Sequence, residues 1–233
     1  MKTKIRFWMP AILFALSSVF FTNCKEKEEE EPLPEVEYTS FTDTRDGNIY
    51  KTVKIGNQIW MAENLRYLPS VVGPETYSFT IPYYYVYGYN GTDVNAAKKT
   101  ANYTTYGVLY NWTAACSSCP SGWHLPTDAE WTELTDYLGG DSVAGGKLKE
   151  TDTTHWKSPN TGATNETGFT ALPGGSLINN GTFFHIGIGA HWWSATENSA
   201  NYAWSRDMSS SNSVLYNWYE FKRGGFSVRC VKD

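Results

Sequence analysis

The sequence predicts an α+β domain with short helices and a β-rich, loop-rich second half, set behind an export segment. Three observations carry this. Gly56-Asn57 separates two strand-like runs, 49–55 and 58–61. A capped helix start stands at 125–131. Beyond Gly168 the chain turns to short aromatic runs broken by Gly, Asn and Ser, the composition of strands and turns.

The first residues set the compartment. Lys2, Lys4 and Arg6 form a basic head, and 7–21 then runs without a charge. That run is shorter than the roughly 20 apolar residues a membrane span needs. It has the length of a signal peptide core, so 1–23 reads as a signal peptide. Cys24 follows directly and reads as the lipidated first residue of the mature chain, although Phe21-Thr22-Asn23 departs from the small residues usual before such a cysteine. Residues 24–37 then form an acidic tether, with seven Glu and two Lys in 25–37. Such a segment buries too little apolar surface to fold and resembles the acidic export signal of surface lipoproteins. The expected location is the cell envelope, as a surface-exposed outer-membrane lipoprotein held to the membrane by its lipid.

The domain itself is expected over 38–233. The formal net charge is -5, to which the head contributes +3, the 25–37 stretch -5 and the body -3. A weakly acidic body argues against nucleic acid as a partner, because that affinity rests on basic contacts to phosphate. Nine of the ten Trp lie beyond residue 23, which gives the body ample material for a core.

In chain order, 43–48 is a turn-rich entry. The runs 49–55 and 58–61 form a β-hairpin, since Gly56-Asn57 suits a two-residue turn with positive φ. Residues 69–105 read as irregular, with a strand at 83–87. Val108, Leu109, Trp112 and Ala115 have helical spacing, so a short helix is expected over 107–115. Thr127 and Glu130 form a capping box, with Leu125 and Trp131 placed to staple it. Trp131, Leu134 and Leu138 make one apolar face, and Gly139-Gly140 ends the helix. A second helical piece is expected over 143–149. Strands are expected at 169–175, 182–184, 191–195, 202–205 and 226–230, with a turn at 179–181 and the first and last strands paired.

Several segments in order resemble the Fibrobacter succinogenes major paralogous domain. They are the Thr52–Leu65 stretch, Tyr106-Gly107-Val108-Leu109-Tyr110-Asn111-Trp112, and Cys119–Trp131 with its Gly-Trp-His-Leu-Pro-Thr-Asp run. Gly168–Gly175, Trp192–Glu197 and Gly225–Val231 complete the set. The resemblance covers roughly 45–233 and implies an exported, often lipid-anchored domain. Residues 125–131, Gly174-Gly175 and the terminal Gly-Phe-x-Val-Arg-Cys are also similar to the sulfatase-modifying-factor group, which implies a C-type-lectin-like fold. Fold alone does not carry function.

Candidate chemistry is sparse. Cys119 is expected to bridge Cys230, with a Cys116–Cys119 bridge as the rival. The copper-binding cysteine pair of the related enzymes has no counterpart late in this chain, where Cys230 stands alone. His124, His155, His185 and His191 show no metal-ligand spacing, so no metal or other cofactor is expected. No hydrolase elbow, phosphate loop or dinucleotide fingerprint appears. Trp192, Trp193, Tyr202 and Arg206 are the candidate ligand-binding residues, because aromatic faces stack on sugars and charged groups fix hydroxyls. The same tryptophans also read as core residues of short strands. The expectation is a non-enzymatic binding or structural module for a glycan or protein ligand. The alternative is an enzyme derived from the sulfatase-modifying-factor fold.

Overall fold

The computed structural model describes residues 35–233. The signal segment, Cys24 and most of the acidic tether lie outside the described residues. The first half comprises β1 (Tyr38–Thr42), β2 (Ile49–Ile55), β3 (Gln58–Met61), β4 (Tyr84–Tyr85), α1 (Val94–Lys98), α2 (Ala101–Tyr106), β5 (Leu109–Tyr110), α3 (Trp112–Ser118) and β6 (Trp123–His124). Then come α4 (Asp128–Tyr137), α5 (Asp141–Leu148), β7 (Ser176–Leu177), β8 (Phe183–Phe184), β9 (Gly189–Glu197), β10 (Tyr202–Ser209), β11 (Tyr216–Phe221) and β12 (Val231–Lys232). The class is α+β, with antiparallel pairing throughout the named strands.

The hairpin forms as its turn residues dictate. Ile55 faces Gln58, so Gly56 and Asn57 close a two-residue loop, with Gly56 at φ +59°. It belongs to a five-stranded sheet in the order β1-β2-β3-β12-β6. The last strand therefore returns to the hairpin's second strand, at Val231 opposite Trp60, while β1 lies at the sheet's edge. The expected first strand, 49–55, does not pair with the last, because β3 stands between them.

Both faces of this sheet are covered. Tyr50 and Met61 join one apolar cluster with Tyr110, Trp193, Phe226 and Val228. Val53, Ile55 and Trp60 join another with Trp131, Trp156, Phe169 and Trp192. For this reason neighbouring Trp60 and Met61 are both buried, and β3 shows no clean polar-apolar alternation. Trp60, Trp131, Trp156, Trp192 and Trp193 are fully buried. Truncating any of them to Ala is expected to cost ~3–5 kcal/mol.

The helix over 128–137 starts as its sequence requires. Thr127 Oγ1 accepts from the Glu130 amide at 3.2 Å, and the Thr127 amide donates to Glu130 Oε2 at 2.8 Å. Leu125 and Trp131 join different clusters rather than stapling to each other. Gly139 (φ +98°) and Gly140 (φ +97°) end the helix, and α5 follows at once.

Other elements depart from expectation for local reasons. Residues 94–98 and 101–106 are helical, nucleated by caps at Asp93 and Thr100 within a stretch too short for apolar periodicity to register. The helix expected over 107–115 begins only at Trp112, because Leu109–Tyr110 pairs with Tyr84–Tyr85 and the Asn111 side chain caps the helix through the Ala114 amide. The runs 169–175 and 226–230 form no continuous strand, the first being turned by positive φ at Thr170 and Gly175, and make single bridges, such as Ala171 with Lys149 and Tyr110 with Phe226. β1 and β11 were not anticipated.

Candidate binding site

The second half contains a three-stranded antiparallel sheet in the order β11-β10-β9. β9 is an end strand of it, flanked on its free side by isolated bridges to Gly175 and Ser227. Both its faces are covered, which places Trp192 in one cluster and Trp193 in the other, each at 0% exposure. Their indole N–H groups are also committed. Trp192 Nε1 donates to Asn64 Oδ1 at 2.9 Å, and Trp193 Nε1 to the Tyr110 carbonyl at 2.7 Å. Neither ring offers a face to a ligand, which corrects the expectation drawn from the Trp-Trp pair.

Arg206 is likewise withdrawn, at 2% exposure. Its Nη1 donates to Asp128 Oδ1 at 2.5 Å and to Asn217 Oδ1 at 2.9 Å, and its Nη2 reaches Thr132 Oγ1 at 3.3 Å. The guanidinium fastens the start of α4 to β10 and β11; every one of these partners is intramolecular. The candidate set of four therefore reduces to Tyr202, which is half-buried.

Tyr202 belongs to an aromatic row that the sequence did not single out. The register sets Tyr202 opposite Phe221 and Trp204 opposite Tyr219, on one face of β10 and β11. Their rings touch in sequence. Trp204 meets Tyr219 at 5.8 Å, Tyr219 meets Tyr202 at 5.6 Å, and Tyr202 meets Phe221 at 4.3 Å. Phe79 extends the row edge-on at 6.5 Å from Phe221. The Arg223 guanidinium lies 4.9 Å above Tyr77 and 5.3 Å above Phe79.

β11 pairs on one side only, with β10. Along it Tyr216 (43% exposed), Trp218 (55%) and Tyr219 (42%) stand in solvent, and Tyr77 (47%) lies beyond the row's end. Trp218 and Tyr219 are parallel within 3° at 5.7 Å. Polar groups interleave with these rings. Asn217 is exposed, and Asn212 Nδ2 donates to the Tyr216 hydroxyl at 2.9 Å. The Glu220 carboxyl is raised above its ordinary range by burial and by the Asp207 charge. Contiguous exposed aromatic surface of this kind marks interaction sites. The signal available in the sequence was Tyr-Asn-Trp-Tyr-Glu-Phe at 216–221, aromatics on both faces of one strand.

The cysteines divide into a bridge and a free thiol. Cys119 and Cys230 are bonded, 5.9 Å apart at Cα, and Cys116 is free and exposed. The Cys116 thiol is pushed up to about 11 by burial of the sulfur and by the Glu197 charge, with Lys222 opposing. That is the reverse of an activated nucleophile. His124 bridges Glu130 Oε1 (2.7 Å) and Asp233 Oδ1 (2.6 Å), a structural clamp on the α4 start. Among the described residues no group of three or more His, Cys, Asp or Glu side chains is placed to hold a metal ion.

No curated protein and no solved structure matches this chain. Residues 53–232 match the model of the Fibrobacter succinogenes major domain, and the chain belongs to that family.

Proposed function

We propose that this protein is an exported, lipid-anchored binding module of the cell envelope that holds a glycan on the aromatic edge of its β9–β11 sheet. The observation that carries the reading is the aromatic strip along β11, where Tyr216, Trp218 and Tyr219 stand in solvent beside the half-buried Tyr202 and Trp204 of β10, interleaved with amide and carboxylate groups. Rings stack on the C–H faces of sugars, and amides and carboxylates orient hydroxyls. A protein ligand is the competing occupant. The interleaved polar side chains favour the glycan, since a protein interface core is depleted in charge.

Export is supported by the basic head and apolar run of 1–23 and by the Cys119–Cys230 disulfide, which suits an oxidising compartment. Anchoring through Cys24 and a surface-exposed outer-membrane location belong to the same proposal. So does the C-type-lectin-like reading of the fold, supported by the helix start at 125–131 and by the return of β12 to the first hairpin. The enzyme alternative draws no support from Cys116, whose thiol is raised rather than activated.

The test is a glycan and protein array with the purified protein and its Trp218→Ala and Tyr219→Ala variants. Glycan retention that falls tenfold or more in either variant supports the reading. Binding to proteins alone, or glycan binding indifferent to both substitutions, overturns it. For the anchor, Cys24→Ser is expected to release the protein from membranes, and a variant that still partitions with them refutes the lipid.

A further inference from the structure

Behind the edge strand the sheet encloses a pocket of about 180 Å³, open on one side. His191, Asp207 and Tyr216 are cross-strand neighbours on β9, β10 and β11 and so share one face of the sheet. Trp218, opposite Ser205, projects from that same face. The pocket is completed by His185 from the turn before β9, held at φ +66° while its carbonyl accepts from the Gly189 amide at 2.8 Å. The His185 ring stacks on that of His191 at 5.7 Å, and Phe226 backs His191 from 5.4 Å. Ile188 supplies apolar wall, while Met208, whose side chain lies in the core on the other face of β10, borders the pocket through its backbone.

One ring nitrogen here is unpartnered. His191 Nδ1 lies against Asp207 Oδ1 at 3.1 Å, outside hydrogen-bond geometry, and His191 Nε2 is buried with no partner. Buried polar groups are nearly always satisfied, so an orphan nitrogen on the pocket wall beside a weakly engaged carboxylate points to a ligand that supplies the missing contact. Gly189 keeps the approach open. A Cβ there would stand 3.1 Å from His191 Nε2 and 3.2 Å from the Cβ of His185.

The chemistry of the wall selects the ligand. Asp207 accepts hydrogen bonds only, and Glu220 adds a second carboxyl nearby, which disfavours anions. Burial and His191 hold His185 below its ordinary range, so that ring is neutral at pH 7. A pocket this size is smaller than the ~300–1,000 Å³ that holds drug-sized molecules and suits a single small ring.

We infer that the His191–Asp207 pocket is a subsite for one sugar ring, with adjacent hydroxyls bonded to the Asp207 carboxylate and His191 Nε2 and with Ile188 against its C–H surface. Tyr216 and Trp218 lead to it along the strand edge, so it receives the end of a glycan lying on that edge or a free monosaccharide of the same chemistry. This rests on the glycan reading above.

The experiment titrates the purified protein with glucose, galactose, mannose, xylose, rhamnose and N-acetylglucosamine, following the imidazole NMR resonances of His185 and His191. At least one sugar is expected to shift both rings, with tenfold or greater weakening in Asp207→Asn and in Gly189→Ala, the latter filling the approach without removing a polar group. A polysaccharide ending in the responsive sugar and one capped at that end separate the two sources: only the uncapped polymer shifts the rings if the subsite takes chain ends. Silence of both imidazoles toward all six sugars overturns the subsite, and retention of polysaccharide by Trp218 and Tyr219 then still leaves the glycan reading standing. A shift that both variants leave intact, or one produced by ethanolamine and by none of the sugars, also overturns it.

Discussion

Cys119, at the end of α3, is bonded to Cys230, the residue before the last strand, across 111 positions of sequence. The bond ties the chain's middle to the β3–β12–β6 side of the large sheet. Closing a loop of this length removes unfolded-state entropy, a contribution of ~2–5 kcal/mol. The double variant Cys119→Ser/Cys230→Ser is expected to lose that much in urea unfolding, while Cys116→Ser changes stability by less than about 0.5 kcal/mol. A disulfide-free variant as stable as the parent would refute this.

Arg206 is expected to behave as a fastener, not as a ligand contact. Arg206→Ala leaves Asp128 and Asn217 without their guanidinium and detaches the start of α4 from the sheet. Breaking a buried charged pair from one side costs ~3–5 kcal/mol. Thermal unfolding measures it, and Trp218→Ala, exposed, is expected to stay within about 0.5 kcal/mol of the parent.

The His124 clamp has a pH window. Burial pulls the His124 imidazole down, but its bonds to Asp233 and Glu130 outweigh this and raise it above 6.5. Glu130 is held below 4.5 because its bonds to Thr127 and His124 outweigh the cost of burial. The histidine's contribution is complete below its unfolded value near 6.5 and is lost as pH rises through the raised folded value. The glutamate's contribution is complete above about 4.5 and is lost as pH falls through the lowered one. Stability relative to His124→Gln is therefore expected to peak between about pH 4.5 and 6.5, by ~1 kcal/mol or less given the solvent exposure of the clamp. Urea titrations at pH 3, 5.5 and 8.5 check it; a difference that is flat with pH would contradict the assignment.

Lys149 is a buried cation whose hydrogen-bond partners are all carbonyls, with its Nζ 5.4 Å above the Trp156 ring. Its Nζ donates to the backbone oxygens of Thr161 (2.9 Å), Ser209 (3.1 Å) and Asn212 (2.9 Å). Burial lowers its pKa to about 8. The folded state then releases its proton before the unfolded chain does, so stability gains as pH rises from about 8 to 10, by ~1–3 kcal/mol. Lys149→Met is expected to abolish that gain and to cost ~2–4 kcal/mol at pH 7 by stranding three carbonyls. Denaturation of both proteins at pH 7 and 10 separates the two effects.

The elements legible in the sequence were those whose signal is local. Gly56-Asn57 closed its hairpin, Thr127 and Glu130 capped their helix, and Gly139-Gly140 ended it, because a turn or cap is decided within a few residues. The short helices at 94–98 and 101–106 escaped, since five or six residues carry no readable periodicity. The binding surface was the least legible part. Trp192-Trp193 and Trp218-Tyr219 look alike as aromatic pairs on end strands of one sheet, yet the first strand is covered on both faces and bridged along its free side and the second is open to solvent.

The sequence by itself determined the family, the α+β class, the charge balance that argues against nucleic acid, and the local starts and stops of the main hairpin and helix. Only the tertiary structure decided which aromatics face solvent, that Arg206 is a fastener, and that His191 and Asp207 meet in one pocket. Burial and cross-strand neighbours depend on strand order, and strand order is set by contacts between residues far apart in the chain.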